Sequence, residues 1–205
     1  MPEGAILAVF FGAGAALTLL SARGTPPARR GLSGGLALAA ILAFLFYNNT
    51  SDRMISSMAF ALAAGAGAVA AAIDARRHLL PDAGASLIAI GALISAIIRD
   101  EVINALIASV ISAAVLIVAA MLTYRPARGK SLGEGDVILA GACGLWLTPE
   151  QVPYALICAT VVTAVVGFTI GVTQRDHSGR MPFAPGIAIG YAVAAAGLIP
   201  VGFIS

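Results

Sequence analysis

Charge is scarce in this sequence. Of 205 residues only 11% are Asp, Glu, Lys or Arg, while 60% are hydrophobic. A soluble domain of this length carries about a quarter charged residues, so the composition excludes one. Cysteine is nearly absent too. Cys143 and Cys158 form no CxxC pair and lie within apolar runs. That excludes a cysteine zinc site and leaves two small buried thiols. There are two histidines, no HExxH spacing, and therefore no expected metal centre. Phosphate loops, dinucleotide fingerprints and basic nucleic-acid patches are also missing, so neither a cofactor nor a nucleic acid is expected. The start, with Glu3 and no basic n-region, is unlike a cleavable signal peptide, so the first apolar run is expected to remain as a span.

What the chain has instead is long apolar runs, as membrane-crossing helices require. They predict an all-α polytopic membrane helix bundle of about eight transmembrane helices, one domain over residues 1–205. The expected spans are Ala5–Leu20, Gly31–Tyr47, Met54–Ile73, Ala83–Ile98, Val102–Thr123, Val137–Leu147, Val152–Val172 and Ala184–Ile204. The sixth is short for a bilayer and spans only if residues near Gly133 extend it. Small residues crowd the third, at Ala63-Ala64-Gly65-Ala66-Gly67-Ala68, where they let helices approach closely. Trp146 and Tyr47 fit an interfacial aromatic belt.

The net charge of +2 matters less than its distribution. With eight spans, one side holds Arg23, Arg29, Arg30, Arg76, Arg77, Arg125, Arg128, Lys130, Arg175 and Arg180; the other holds only Arg53 and Arg99. The positive-inside rule makes the first side cytoplasmic and puts both termini outside.

Two carboxylates then stand out. Asp74 ends one apolar run, and Asp136 closes Gly133-Glu134-Gly135-Asp136 at the mouth of another. Neither was used to set the topology, yet both fall at the cytoplasmic border. A charge at a membrane border is costly unless solvated, paired or functional. Two carboxylates held close share a proton, and such a pair can activate water while polarising a peptide carbonyl. That is metal-free aspartic peptide hydrolysis. Glycines beside Asp136 let a substrate backbone approach. The plainer alternative, helix capping, suits Asp136. It does not suit Asp74, since a carboxylate at a helix C-terminus opposes the dipole. The same dipole contrast assigns the shared proton to Asp74 and the charge to Asp136. His78 and His177 are read as solvated loop residues, and Arg76 and Arg77 as topology determinants.

Ile73-Asp74 with Leu80-Pro81-Asp82, then Gly133-Glu134-Gly135-Asp136, then Met181-Pro182-Phe183-Ala184-Pro185-Gly186, in that order and all on one side, resemble the type IV prepilin peptidase family of GxGD membrane aspartic proteases. The resemblance covers about residues 59–190. It implies an aspartic endopeptidase of the cytoplasmic (inner) membrane, bacterial or archaeal, that removes the basic leader of type IV prepilins or pseudopilins at the cytoplasmic face. By motif position Asp74 and Asp136 are the catalytic pair. Gly133, Glu134, Gly135, Leu80, Pro81, Asp82, Pro182 and Phe183 shape the site. No cofactor is implied; the partners are the prepilin or pseudopilin substrate and membrane lipid. Many family members carry a cysteine-bearing N-terminal insertion linked to methylation of the new N-terminus. Here the first loop, Ser21 to Arg30, has no cysteine, which implies a peptidase without methyltransferase activity. Ile138 stands where the family often has Lys.

Two other readings remain. Presenilin-type intramembrane proteases share GxGD but pair Tyr-Asp with Pro-Ala-Leu, where this chain has Ile73-Asp74 and Pro182-Phe183. A non-enzymatic carrier or assembly subunit should carry ionisable residues near the bilayer midplane, whereas nearly all of these lie at the borders. The sequence names neither the individual pilin nor the oligomeric state.

Overall fold

The computed structural model describes residues 8–16, 40, 54–77, 82–123, 133–174 and 183–197. Every regular element among them is helical. Residues 8–16 belong to α1. The others are α2 (Met54–Arg77), α3 (Asp82–Arg99), α4 (Val102–Thr123), α5 (Glu134–Gly144), a 3-10 turn (Pro149–Gln151), α6 (Val152–Gln174) and α7 (Ala184–Ala195). The expected span Gly31–Tyr47 lies outside the described residues except for position 40.

Among the described residues three helices are long and apolar enough to cross a membrane: Ile55–Asp74, Val102–Leu122 and Pro149–Phe168. Their surroundings differ. The α2 window is 72% buried, against 22% for α4 and 28% for α6. So α2 is the central helix, and its small residues Ala61, Ala66 and Ala70 are wholly enclosed. In contrast, α4 turns Ile103, Val110, Met121 and Leu122 outward, and α6 turns Ile157, Val161, Val165 and Phe168 outward. Water would not tolerate such continuous apolar faces; hydrocarbon does. The chain is read as a membrane protein on this basis.

Successive helices run in opposite directions. A side chain at Gly91 of α3 would strike Ala59 of α2, and Gly67 of α2 faces Ile88 of α3, so the two are antiparallel. The chain then reverses over two residues. Glu101 N–H donates to Ala96 O (2.9 Å), Asp100 takes φ 59°, and Arg99 pairs with Glu101 at 3.1 Å. Left-handed Asp is tolerated because its short polar side chain bonds locally. On the next pair, Gly144 of α5 meets Ala108 and Ser109 of α4, while Gly141 faces Ser109 and Ala113. The Ser109 hydroxyl donates to Gly141 O at 2.8 Å. After α5 the chain turns through Trp146 N–H to Cys143 O and Gln151 N–H to Thr148 O. It returns as α6, and α7 packs back against α6. There Gly186 sits on Ala159 and Thr163, and Gly190 on Ala155 and Ala159. One helix, α7, also packs on α2 and on α5. The helix α3 packs on α5 as well.

Several sequence expectations shift. The third span runs a turn further than Ile73, to Arg77, so Asp74 lies inside a helix and not after one. The fifth begins at Val102 and ends at Thr123 as expected. At the sixth, α5 does extend back to Glu134 but has 11 residues. It therefore rises about 16 Å, half of a hydrocarbon core of about 30 Å. The eighth was expected to reach Ile204, and 198–204 lie outside the described residues; α7 stops at Ala195. Gly197 adopts φ 66° there and its N–H bonds Ala194 O at 3.0 Å, a left-handed helix stop. Trp146, expected to face an interfacial belt, packs inside the bundle instead. It is 5% exposed and meets Phe60 edge-on, ring centroids 5.0 Å apart at 89°. Tyr47 lies outside the described residues.

Candidate functional site

Asp74 occupies the last turn of α2 and is only 7% exposed. Ile73 beside it is 3% exposed. A buried carboxylate needs hydrogen-bond donors. One comes from 110 residues away: the Ala184 backbone N–H donates to Asp74 Oδ2 at 3.3 Å. Ala184 is the first residue of α7 and is fully buried. Its amide is one of the helix-end donors that have no partner within their own helix. Phe183 is the N-cap at φ −85°, ψ −29°, and packs against the main core. Its carbonyl accepts from Ile187 N–H at 3.0 Å, which closes the first turn of α7.

Asp136 lies in the first turn of α5 and is partly exposed. Its Oδ2 accepts from the Gly133 N–H at 3.0 Å, and its own N–H donates to Gly133 O at 3.2 Å. Gly133 is the N-cap, at φ −83° and ψ 156°. Asp136 is therefore three residues past the cap and reaches back to it, as the acidic member of a capping box does. The backbone angles at Gly133 are open to any residue, so the bend does not require glycine. A Cβ at position 133 would make an ordinary contact, 3.5 Å from Asp136 Oδ2. Glycine keeps that side of the carboxylate uncovered.

Helix directions bring these features to one end of the bundle. The α2 C-terminus meets the α7 N-terminus through the Asp74–Ala184 bond. Since α5 and α7 both run opposite to α2, they are parallel to each other. Tyr191 of α7 stands beside Cys143 of α5 and Ser112 of α4. Tyr191 is seven residues after Ala184 (191 − 184), and Cys143 seven after Asp136 (143 − 136). Two parallel helices that match at one level and then step back by the same rise, about 10 Å, match again at Ala184 and Asp136. The far end of the bundle carries the Arg99–Glu101 turn, Trp146 and Gly197.

The dipole contrast drawn from sequence does not survive this geometry. Asp136 is at the N-terminal end of α5, as expected. Asp74, although near the C-terminus of α2, also caps the N-terminal end of α7. Both carboxylates sit at a positive helix end. Sequence reasoning missed the Ala184 amide, because a backbone donor carries no side-chain signature.

Of the other predicted site residues, Gly133, Glu134 and Gly135 stand with Asp136 at the start of α5. Glu134 is exposed. Phe183 stands with Asp74 at the start of α7. Asp82 begins α3. Leu80, Pro81 and Pro182 lie outside the described residues, as do His78 and His177. Among the described residues no group of three His, Cys, Asp or Glu gathers in one place.

Residues 61–168, or 108 of the 205, match the type IV leader peptidase family. The matched stretch contains both Asp74 and Asp136. No curated protein and no solved structure matches the chain.

Proposed function

The chain belongs to the type IV leader peptidase family, and from that premise we propose that it is a membrane aspartic endopeptidase with Asp74 and Asp136 as its reacting pair. Its substrates are type IV prepilins or pseudopilins, cut at the cytoplasmic face between a basic leader and an apolar helix. The observation that carries this reading is the burial of Asp74 at the start of α7, at the bundle end where α5 begins with Asp136.

The chemistry follows from two carboxylates sharing one proton. The ionised member takes a proton from water as the water oxygen attacks the scissile carbonyl carbon. The protonated member gives its proton to the carbonyl oxygen, which yields a neutral tetrahedral diol. The first carboxyl then protonates the peptide nitrogen, and the second recovers a proton from a diol hydroxyl. The C–N bond breaks to give a carboxyl and an amine, and the pair returns to its starting state. Glu134, exposed beside Asp136, is suited to the basic residues of a leader. Gly133 leaves room for the substrate backbone.

The direct test is cleavage of a synthetic substrate by the purified protein in lipid. The substrate carries a basic leader, a Gly and an apolar helix. Expected are a single cut after the Gly and a product with a free N-terminus, even with a methyl donor supplied. The missing cysteine-bearing insertion motivates the second expectation. A methylated product would overturn it, and an uncut substrate would remove the peptidase reading in favour of a non-enzymatic membrane protein.

Topology supplies an independent test. Single cysteines at Arg128 and Arg175 should be shielded from an impermeant thiol reagent in intact cells. Cysteines at Asp100 and Glu150 should be labelled. The basic asymmetry and the alternating helix directions both lead to this pattern. Labelling at Arg128 with protection at Glu150 would invert the protein and move the carboxylates to the wrong face for a cytoplasmic leader.

A further inference from the structure

We infer that the backbone amide of Ala184 is the positioning donor for Asp74, so that α7 serves as the arm that orients one of the two reacting carboxylates. The inference rests on the proposed pairing of Asp74 with Asp136. It concerns how Asp74 is held, which that pairing leaves open.

Three features of the sequence converge on this amide. Ala184 is the first helical residue of α7, and its N–H has no intrahelical acceptor. Pro185 follows it without an N–H, so of the first two helical residues only Ala184 offers a donor. Ala184 has a methyl side chain and is fully buried, which lets the backbone approach Asp74 closely. The donor is then fixed from behind. Phe183 packs into the core before it, while Gly186 and Gly190 seat α7 directly on the backbone of α6 after it. Inside an apolar bundle an unbonded amide is costly, so amide and carboxylate hold each other. The bond to Oδ2 helps to set the plane of the carboxylate. Reactivity in a carboxylate pair depends on that orientation, because both groups must face one water.

A single-atom change tests the contact. Replacing Ala184 by lactic acid in the full-length protein turns the amide into an ester. This removes the N–H and weakens the Phe183 carbonyl that accepts from Ile187. The same exchange at Ile187, which breaks that second bond and leaves the Ala184 N–H in place, is the control. The bond is long for one to a charged acceptor, so the loss should be modest. We expect kcat on the leader-bearing substrate to fall about tenfold with KM within about twofold. Ala184→Gly keeps the N–H and should lose less kcat than the ester variant. Unchanged kcat in the ester variant, alongside an inactive Asp74→Asn, would remove the positioning role and leave the proposed function standing. Turnover in Asp74→Asn itself would remove the function and this inference together. An equal loss in Ala184→Gly would show that the N–H is not what matters. If the ester protein does not accumulate, the 15N–1H resonance of Ala184 decides. Its proton should be downfield in the wild type and move upfield in Asp74→Ala, which removes the acceptor, and an unmoved resonance overturns the contact.

Discussion

Asp74→Asn and Asp136→Asn are each expected to lower leader cleavage by about 10²–10⁴-fold, the range that general acid–base groups contribute. The double variant should be scarcely worse than either single one, since members of one reacting unit are not additive. Asn is a better probe than Ala here. At position 74 the side-chain oxygen of Asn still accepts from Ala184 N–H, so the α2–α7 contact survives while the proton chemistry is lost. Asp74→Ala would leave that buried amide unbonded, at about 1–3 kcal/mol, and would confuse instability with inactivity. At position 136 the capping bond to Gly133 is exposed, so water replaces it and Asp136→Asn and Asp136→Ala should unfold alike. The measurement is single-turnover cleavage in lipid with thermal midpoints alongside. Turnover within tenfold of wild type in either Asn variant would sink the paired-carboxylate mechanism.

Much of this arrangement was legible in the sequence, for physical reasons. Apolar runs must become helices in hydrocarbon, because no other open structure satisfies its own backbone. The basic residues fall ten to two between the loops of the expected topology, and the described helices α2 to α7 alternate in direction. The glycine-flanked Asp136 marked the start of α5. Asp74 marked the same end of the bundle, since a carboxylate in an apolar run calls for a reason.

What the sequence hid depends on contacts between distant segments. Asp74 looked ill-placed at the end of α2 only while its own helix was considered. The bond that Ala184 N–H donates to Asp74 links positions 110 residues apart through a group that every residue but proline possesses. Trp146 fitted a membrane belt by type, but tertiary packing on Phe60 drew it inside. The stop of α7 was readable in principle: Gly197 followed by Pro200 is a helix-end pattern. Continuous hydropathy concealed it, because apolarity records depth in the membrane and not helix continuity.

The seat of α7 on α6 yields the other large effect. Gly186 and Gly190 are four residues apart on one face of α7, against Ala155, Ala159 and Thr163 at the same spacing on α6. Such small-residue pairs let two backbones meet. A Cβ at 190 would collide with the Ala159 backbone nitrogen and lie 2.7 Å from Ala155 O; one at 186 would lie 2.5 Å from Ala159 O. Backbone atoms cannot rotate away as a side chain can, so the helices must separate. Gly190→Val should therefore cost on the order of 1–3 kcal/mol. At about 2–4 °C per kcal/mol for a chain of this size, the thermal midpoint should fall by several degrees. Cleavage should fall with it even well below that midpoint, because α7 carries the Ala184 amide away from Asp74. Gly12→Ala is the control, since a Cβ there meets nothing within 4 Å and both quantities should stay at wild-type values. A Gly190→Val protein with unchanged midpoint and cleavage would mean that α7 is held by something other than its glycine face. A lowered midpoint with full activity at low temperature would separate the packing of α7 from the orientation of Asp74.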